Sequence, residues 1–391
     1  MGPSPIVIGA AAELRDGERR VAITPSVVAG YRNLGATVVV ESGAGAAAGF
    51  PDHDYEERGA VIGSREDALA ADIVACVRVV GADPESPDLA RLRPGQAIVG
   101  MAAPLAAPAV SAAVASRGAA LFSLELLPRT TRAQSMDVLS SQANIAGYRA
   151  VLIAAQALPK VFPLLTTAAG TIPPARVFVV GAGVAGLSAI ATARRLGAVV
   201  QAYDVREAAK EEVQSLGARF VELPLDTGQE GSGSGAYASA MSDEALARQR
   251  ELMLKTVGAS DVVITTAQVQ GAKAPVLITA EMVEAMSPGS VVVDLAAEQG
   301  GNCAVTLPGR TVDVGGVSVI GPVDVTSSVP HHASLMYAKN VANFVALLVR
   351  DGALALDTDD DLVTGCAVAR DGEIVNERMR AALGAGEGVT P

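Results

Sequence analysis

Tryptophan is absent from the 391 residues, and aromatics together make up only 3%. Packing therefore falls to alanine, valine and 40 glycines, small side chains that suit parallel sheets under closely packed helices. Lysine is scarce: Lys160, Lys210, Lys255, Lys273 and Lys339 are the full set. No block of basic residues occurs and the net charge is −12. Phosphate backbones are bound through clustered Lys and Arg, so the charge argues against a nucleic-acid surface. The three cysteines, Cys76, Cys303 and Cys366, stand far apart with no metal-ligand spacing. They read as free, mostly buried thiols of a reducing compartment, and no metal site is expected. Met1 to Ile6 has neither a charged n-region nor a long apolar core, so no secretory signal is expected. The longest apolar candidate runs through Ile145, Val151, Leu152, Ile153 and Leu158, is interrupted by Arg149 and closes at Pro159-Lys160. It falls short of the ~20 residues a membrane span needs. A soluble chain is expected, with any membrane link made through a partner.

What is present is a regular alternation of strands and helices over a length that calls for two domains. Strands are expected at Ile6-Val7-Ile8, at Thr37 to Glu41, at Ile73 to Val77, at Ala97 to Gly100 and at Ala120 to Ser123. Helical stretches lie between them, such as Ser26 to Leu34 with Gly35 as a stop. A long helix is predicted over 141–158, with Ile145, Tyr148, Leu152 and Ala155 at helical spacing. Further strands follow at 176–180, 198–203, 218–222, 261–266, 290–295 and 317–320. Ser334 to Leu348 reads as a helix returning the chain to the first domain, and the acidic tail carries only short strands, at Val363 and Ala367-Val368. The fold class is therefore α/β: two Rossmann-like, doubly wound parallel sheets joined by long helices, with the first domain discontinuous. The expected domains are 1–140 plus 326–391, and 141–325.

One motif stands out from the other glycines. Gly181-Ala182-Gly183-Val184-Ala185-Gly186 follows the apolar run Arg176 to Val180 and opens a helix-compatible stretch, Leu187 to Leu196. A second strand-like run then ends at Asp204, with Val205 and Arg206 behind it. In a dinucleotide site, Gly181 permits the tight turn, Gly183 lets backbone approach the pyrophosphate and Gly186 allows close helix–strand packing. The helix directs unpaired amides and its positive dipole end at the phosphates. Asp204 lies roughly 20 residues on, where an acid accepts from the ribose hydroxyls and repels a 2′-phosphate, so NAD is favoured over NADP. Arg206 is the ambiguity, since an arginine there also accommodates a 2′-phosphate. The bland alternative is a glycine-rich turn that binds nothing, which leaves Asp204 as coincidence. The long stretch Asp226 to Tyr237 is a small-residue loop, read equally as a lid or a connector.

Carbonyl reduction needs a proton as well as a hydride, and hence a general acid. The chain has only His53, His331 and His332, each more often a surface or capping histidine than a catalytic one. Hydride passage between two nicotinamide rings needs no proton; it demands positioning.

The segment Glu125-Leu126-Leu127-Pro128-Arg129-Thr130-Thr131-Arg132-Ala133-Gln134-Ser135-Met136-Asp137-Val138-Leu139-Ser140-Ser141-Gln142 is similar to the loop over the nicotinamide in the NAD(H)-binding component of proton-translocating nicotinamide nucleotide transhydrogenases. Arg19 to Pro25, Ala168 to Val177, Ala274 to Thr279 and Asp294 to Cys303 resemble the same family, so the likeness covers nearly the whole chain. It implies that Arg129, Gln134 and Asp137 hold NAD(H) and orient it toward NADP(H) on a partner subunit, with Ser140 a neighbouring polar contact. An arginine–carboxylate pair with an amide between them also suits a carboxamide, which both donates and accepts. The bland alternative for Arg129 and Asp137 is a loop-stabilising ion pair. The likeness further implies cofactor contacts at Gly181, Gly183, Val184, Ala185, Gly186, Asp204, Val205, Arg206 and Gln268, and at Tyr237 in a loop that closes on nucleotide. It implies a homodimer, membrane-spanning partner subunits that handle the proton, and a cytoplasmic place on the inner face of the membrane.

Alanine dehydrogenases share the resemblance and are the competing reading, together with a non-catalytic nucleotide-binding module. In the dehydrogenases a lysine and a histidine serve the oxo-acid; here Arg78 and Met101 stand in the corresponding segments, and Arg20 remains at the place of the substrate-binding arginine. Met101 cannot donate a proton. Some transhydrogenases also carry histidine near Met101, so the chain departs there from part of the family it resembles; Gln268 to Lys273 is a second departure, less proline-rich than in relatives.

Overall fold

The structure, a computed structural model, describes residues 5–222, 243–269, 271–357 and 359–386. Tyr237, the rest of the loop expected from Asp226 onward, and Gln270 lie outside the described residues. The chain divides into two compact units: unit one comprises residues 1–142 and 326–391, and unit two residues 143–325.

Unit one begins with β1 (Val7–Ala10), β2 (Thr37–Glu41), β3 (Val61–Gly63), β4 (Ile73–Arg78), β5 (Ala97–Met101) and β6 (Ala120–Ser123). All six run parallel in the order β6-β5-β4-β1-β2-β3. Unit two holds a hairpin, β7 (Leu165–Thr167) and β8 (Gly170–Ile172), and then β9 (Arg176–Val180), β10 (Val199–Tyr203), β11 (Arg219–Phe220) and β12 (Val262–Thr265). It closes with β13 (Val291–Asp294), β14 (Thr311–Val314) and β15 (Val317–Ile320). Its main sheet runs β11-β10-β9-β12-β13-β15-β14, parallel except for β14. Back in unit one come a short hairpin, β16 (Val349–Arg350) and β17 (Ala353–Leu354), and then β18 (Ala367–Arg370) and β19 (Glu373–Ile374). The last two extend the first sheet beyond β6, both antiparallel to their neighbours.

Each of the two main sheets is covered on both faces, which explains its apolar strands. Along β9, Val177 and Val179 enter one core cluster while Phe178 and Val180 enter the other. In unit two the strand order reverses between β9 and β12, and ligands of open α/β sheets bind outside the carboxyl ends of strands at such a point. The glycine turn follows β9 there, and the loop after β12 starts beside it.

Two expectations need correction. The long helix spans Val138–Ala157 and buries Ile145 as expected, but Tyr148 is exposed, and the buried stripe continues through Gly147, Ala150, Val151 and Ala154 to Leu158 just past the helix. Val363 is helical, within Asp361–Cys366, because the Asp360 side chain accepts from Leu362 N and Val363 N and starts a helix there. That cap outweighs the strand preference of a β-branched residue. A further helix, Glu377–Gly386, follows. Among the described residues no helix is long and apolar enough to cross a membrane, and no group of His, Cys, Asp or Glu has the geometry of a metal site. The three cysteines are free, with Cys303 and Cys366 buried.

Candidate functional site: a glycine turn in unit two and a pinned loop in unit one

In unit two, Gly181 sits at φ +97, which glycine alone adopts freely, and its N–H donates to Tyr203 O at 2.8 Å. Gly183 starts the helix Val184–Arg195, whose first turn has no acidic residue and no side-chain cap. Its leading amides are therefore available to an anion. A Cβ on Gly186 would lie 1.8 Å from Gly181 O, whereas one on Gly183 would meet no protein atom within 4 Å. The protein's own packing thus requires glycine at 186 and leaves the position at 183 open. Val184 is 40% exposed at this edge.

Gly147, which helical periodicity reads only as an interruption, fits the same turn. A Cβ there would come within 1.9 Å of Ala185 O, and Ser188 Oγ donates to Asn144 O at 2.7 Å on the same crossing. A glycine inside a long apolar helix is the signal the sequence carries for it.

Asp204, at the tip of β10, accepts from Ala182 N at 2.7 Å and from Arg206 N at 2.8 Å. The Arg206 guanidinium folds back on it, with Nε 3.0 Å from Oδ1. Burial pushes the carboxyl up, but the Arg206 and Ala182 hydrogen bonds outweigh it and hold it below the usual range. Val205 between them is 61% exposed.

After β12, Thr266 Oγ1 donates to Gly181 O at 3.0 Å, which ties that loop to the turn. Gln268 Nε2 reaches Leu295 O at 2.8 Å. Below the loop, buried Asp294 accepts from Thr265 Oγ1, Ala296 N, Asn302 N and Cys303 N. One carboxylate thus gathers the end of β12 and the turn that follows β13.

In unit one, the loop before the helix Val138–Ala157 is pinned at several points. Ala133 and Met136 are buried in the core, Ser135 O accepts from Asn340 Nδ2 at 2.8 Å and Asn343 Nδ2 at 2.9 Å, and Arg132 pairs with Asp360 and Asp361. Gln134 stands exposed between these anchors, and Arg129 stands exposed three residues before the first of them. Asp137 turns both oxygens to Ser140, accepting from its N at 2.9 Å and its Oγ at 2.6 Å. Among the described residues no Arg129–Asp137 ion pair forms; the carboxylate caps the helix, and Ser140 holds it.

Arg20 is buried. It forks onto Glu18, Nε to Oε1 at 2.8 Å and Nη2 to Oε2 at 2.6 Å, and gives Nη1 to Gln142 Oε1 at 2.8 Å. Ser327 Oγ also donates to Glu18 at 2.5 Å. Burial pushes Glu18 up, but the Arg20 fork prevails and holds the carboxyl at about 2. Met101 closes β5, buried. Nearby Glu13 accepts from Val77 N and Arg78 N, and burial raises it to about 7. His331 shares a hydrogen bond with Ala48 O at 2.9 Å and stacks on Phe50; His53 is exposed beside Asp54.

Residues 9–146 match the family described as alanine dehydrogenase/PNT, N-terminal domain, and residues 150–377 match its C-terminal domain. The chain is 45% identical to an NAD(P) transhydrogenase subunit alpha polypeptide of Rhodospirillum rubrum, over 94% of this chain and 97% of that one. The crystal structure of a transhydrogenase from Sinorhizobium meliloti superposes with a TM-score of 0.85 at 44% identity, covering 94% of this chain and 100% of the other. A solved L-alanine dehydrogenase gives 0.81 at 25% identity, covering 97% and 99%.

Proposed function

The chain belongs to the alanine dehydrogenase/PNT family, and on that premise we propose that it is the NAD(H)-binding subunit of a proton-translocating transhydrogenase. The bound nicotinamide supplies or accepts a hydride, exchanged directly with NADP(H) on a partner subunit. Gly181, Gly183 and Gly186, with the amides of the helix that follows, receive the pyrophosphate, flanked by Val184 and Ala185. Asp204 receives the adenosine ribose once Arg206 gives way, and its low-lying carboxylate repels a 2′-phosphate. Gln268 borders the same edge, as does Val205. Arg129 and Gln134 orient the nicotinamide, Asp137 and Ser140 fix the loop that carries them, and the loop's anchoring leaves those two side chains outward. Proton movement falls to membrane-spanning partner subunits, which hold the chain, as a homodimer, at the inner face of the cytoplasmic membrane.

The observation that carries this reading over an amino-acid dehydrogenase is the closed state of Arg20. Its buried guanidinium gives three of its five N–H groups to Glu18 and Gln142, so an oxo-acid carboxylate would have to share it with a buried carboxylate. Met101, in the adjoining segment, offers no proton.

Fluorescence titration of the purified chain with NADH and with NADPH should show clear preference for NADH; equal affinities would undo the Asp204 argument. With an NADP-binding partner added, Arg129→Ala and Gln134→Ala should slow hydride exchange more than they weaken NADH binding. No exchange with nicotinamide analogues would leave a binding module. Oxidation of NADH by this chain alone with pyruvate and ammonium would establish the dehydrogenase instead.

A further inference from the structure

Asn302 is fully buried in unit two, and every polar atom it has is engaged. Its Oδ1 accepts from Ala267 N at 2.9 Å, while Nδ2 donates to Ala267 O and to Pro275 O, each at 2.8 Å. Its own N–H goes to Asp294 Oδ2 at 2.8 Å, and its carbonyl accepts from Leu277 N at 2.8 Å and Ile278 N at 3.0 Å. A carboxamide has two N–H donors and one carbonyl. Here all of them close on the first and last residues of a single loop, 267–275.

That loop has no proline before Pro275 and contains Gly271; apart from Asn302, its backbone is held by Ala272 N–H to Val269 O at 3.2 Å and Ala274 N–H to Gln299 O at 2.8 Å. It also begins at the nucleotide-facing edge of the sheet. Thr266, directly before Ala267, donates its N–H to Val180 O at 2.9 Å and its hydroxyl to Gly181 O at 3.0 Å. Asp294, which holds the Asn302 backbone, also takes the Thr265 hydroxyl at 2.9 Å. The carboxyl ends of β9, β12 and β13 are thereby joined through Thr266 and Asp294, and the Asn302 amide ties Ala267 and Pro275 to that junction.

We propose that Asn302 is a positioning residue for nucleotide binding: it holds Ala267 and Pro275 on one buried amide, beside the tie from Thr266 to the glycine turn, so that Gln268 meets the dinucleotide in one fixed arrangement. The inference rests on the NAD(H) reading of that turn. Without that amide, Ala267 and Pro275 exchange their buried partner for water, and the loop must be ordered when the ligand arrives. That ordering is lost from affinity.

The test compares Asn302→Ala with Val319→Ala, a truncation in the core under β15, after choosing conditions that match their losses in Tm. NADH affinity is measured by calorimetry, and exchange of the Ala267 amide by hydrogen–deuterium mass spectrometry. Asn302→Ala should weaken NADH about tenfold and speed exchange at Ala267, while Val319→Ala leaves both near the unaltered protein. An unchanged affinity in Asn302→Ala, or equal weakening in both variants, overturns the proposal. Should Asn302→Ala not fold, Asn302→Ser, which keeps a polar group in the same space, reads the same two quantities. Absence of NADH binding by the unaltered chain would overturn the reading underneath, and is seen before any variant is made.

Discussion

Replacing Gly147 by alanine should destabilise unit two, although glycine-to-alanine changes inside helices ordinarily stabilise. The ordinary gain is up to about 1 kcal/mol, because alanine loses less backbone entropy. At 147 the new methyl would lie 1.9 Å from Ala185 O, and Cβ contacts under 3.0 Å are essentially never seen. The crossing backbones would have to part by at least about 1.1 Å, and close-packed interiors resist such movement. Overpacking of this kind costs about 1–3 kcal/mol, so a net loss of up to about 2 kcal/mol remains after the entropy gain. For a unit of this size that lowers Tm by up to about 8 °C. Because Ala185 sits inside the glycine motif, NADH affinity should fall as well. Gly30→Ala is the control: Gly30 is exposed in the helix Pro25–Asn33 and its Cβ would meet nothing within 4 Å. Thermal unfolding followed by circular dichroism should move the two variants in opposite directions. If both are stabilised alike, the close crossing is not a constraint and the reasoning is refuted.

Gly183→Ala should leave Tm within ~1 °C, since no protein atom opposes the methyl, yet weaken NADH tenfold or more, about 1.4 kcal/mol; unchanged titrations would remove that residue from the phosphate site. Arg20→Ala leaves the buried Glu18 carboxylate with Ser327 and with Arg78 Nε at 3.5 Å and should cost about 3 kcal/mol in urea unfolding, part of which Glu18→Gln in the same chain restores. Glu13, raised from 4.5 to about 7 by burial, holds its proton more tightly when folded. Its contribution to stability is full below pH 4.5 and is lost as pH rises through 7. The stability of the unaltered protein relative to Glu13→Gln should therefore decline by on the order of 3 kcal/mol across that window. Denaturant titrations at stepped pH measure it, and a flat difference would contradict the assignment.

The glycine turn and its strands are legible in the sequence because their signal is local: a β-branched run, a fixed glycine spacing and an acid at the next strand's tip. Boundaries agree within a few residues, as with the helix expected at Ser26–Leu34 and found at Pro25–Asn33. What stays hidden depends on partners distant in sequence. Nothing around Gly147 announces Ala185, so periodicity places Tyr148 on the buried face. Arg20 reads as an available cation until Gln142 is seen beside it. Asp137 reads as half of an ion pair until Ser140 takes both its oxygens. Val363 differs for the opposite reason: its strand propensity is plain in the sequence, and the Asp360 cap beside it overrides that propensity.

The pairing of β18 with β6 has a consequence for biosynthesis. Phe122 waits for Ala367, so on the ribosome the flank of the earlier sheet stays bare until all of the intervening polypeptide has emerged. The glycine-bearing half can finish first, whereas its companion, begun earlier, is completed last. That nascent apolar border, Ala120 to Ser123, is where self-association during translation would start, and a chaperone engaging the unfinished product should hold it there.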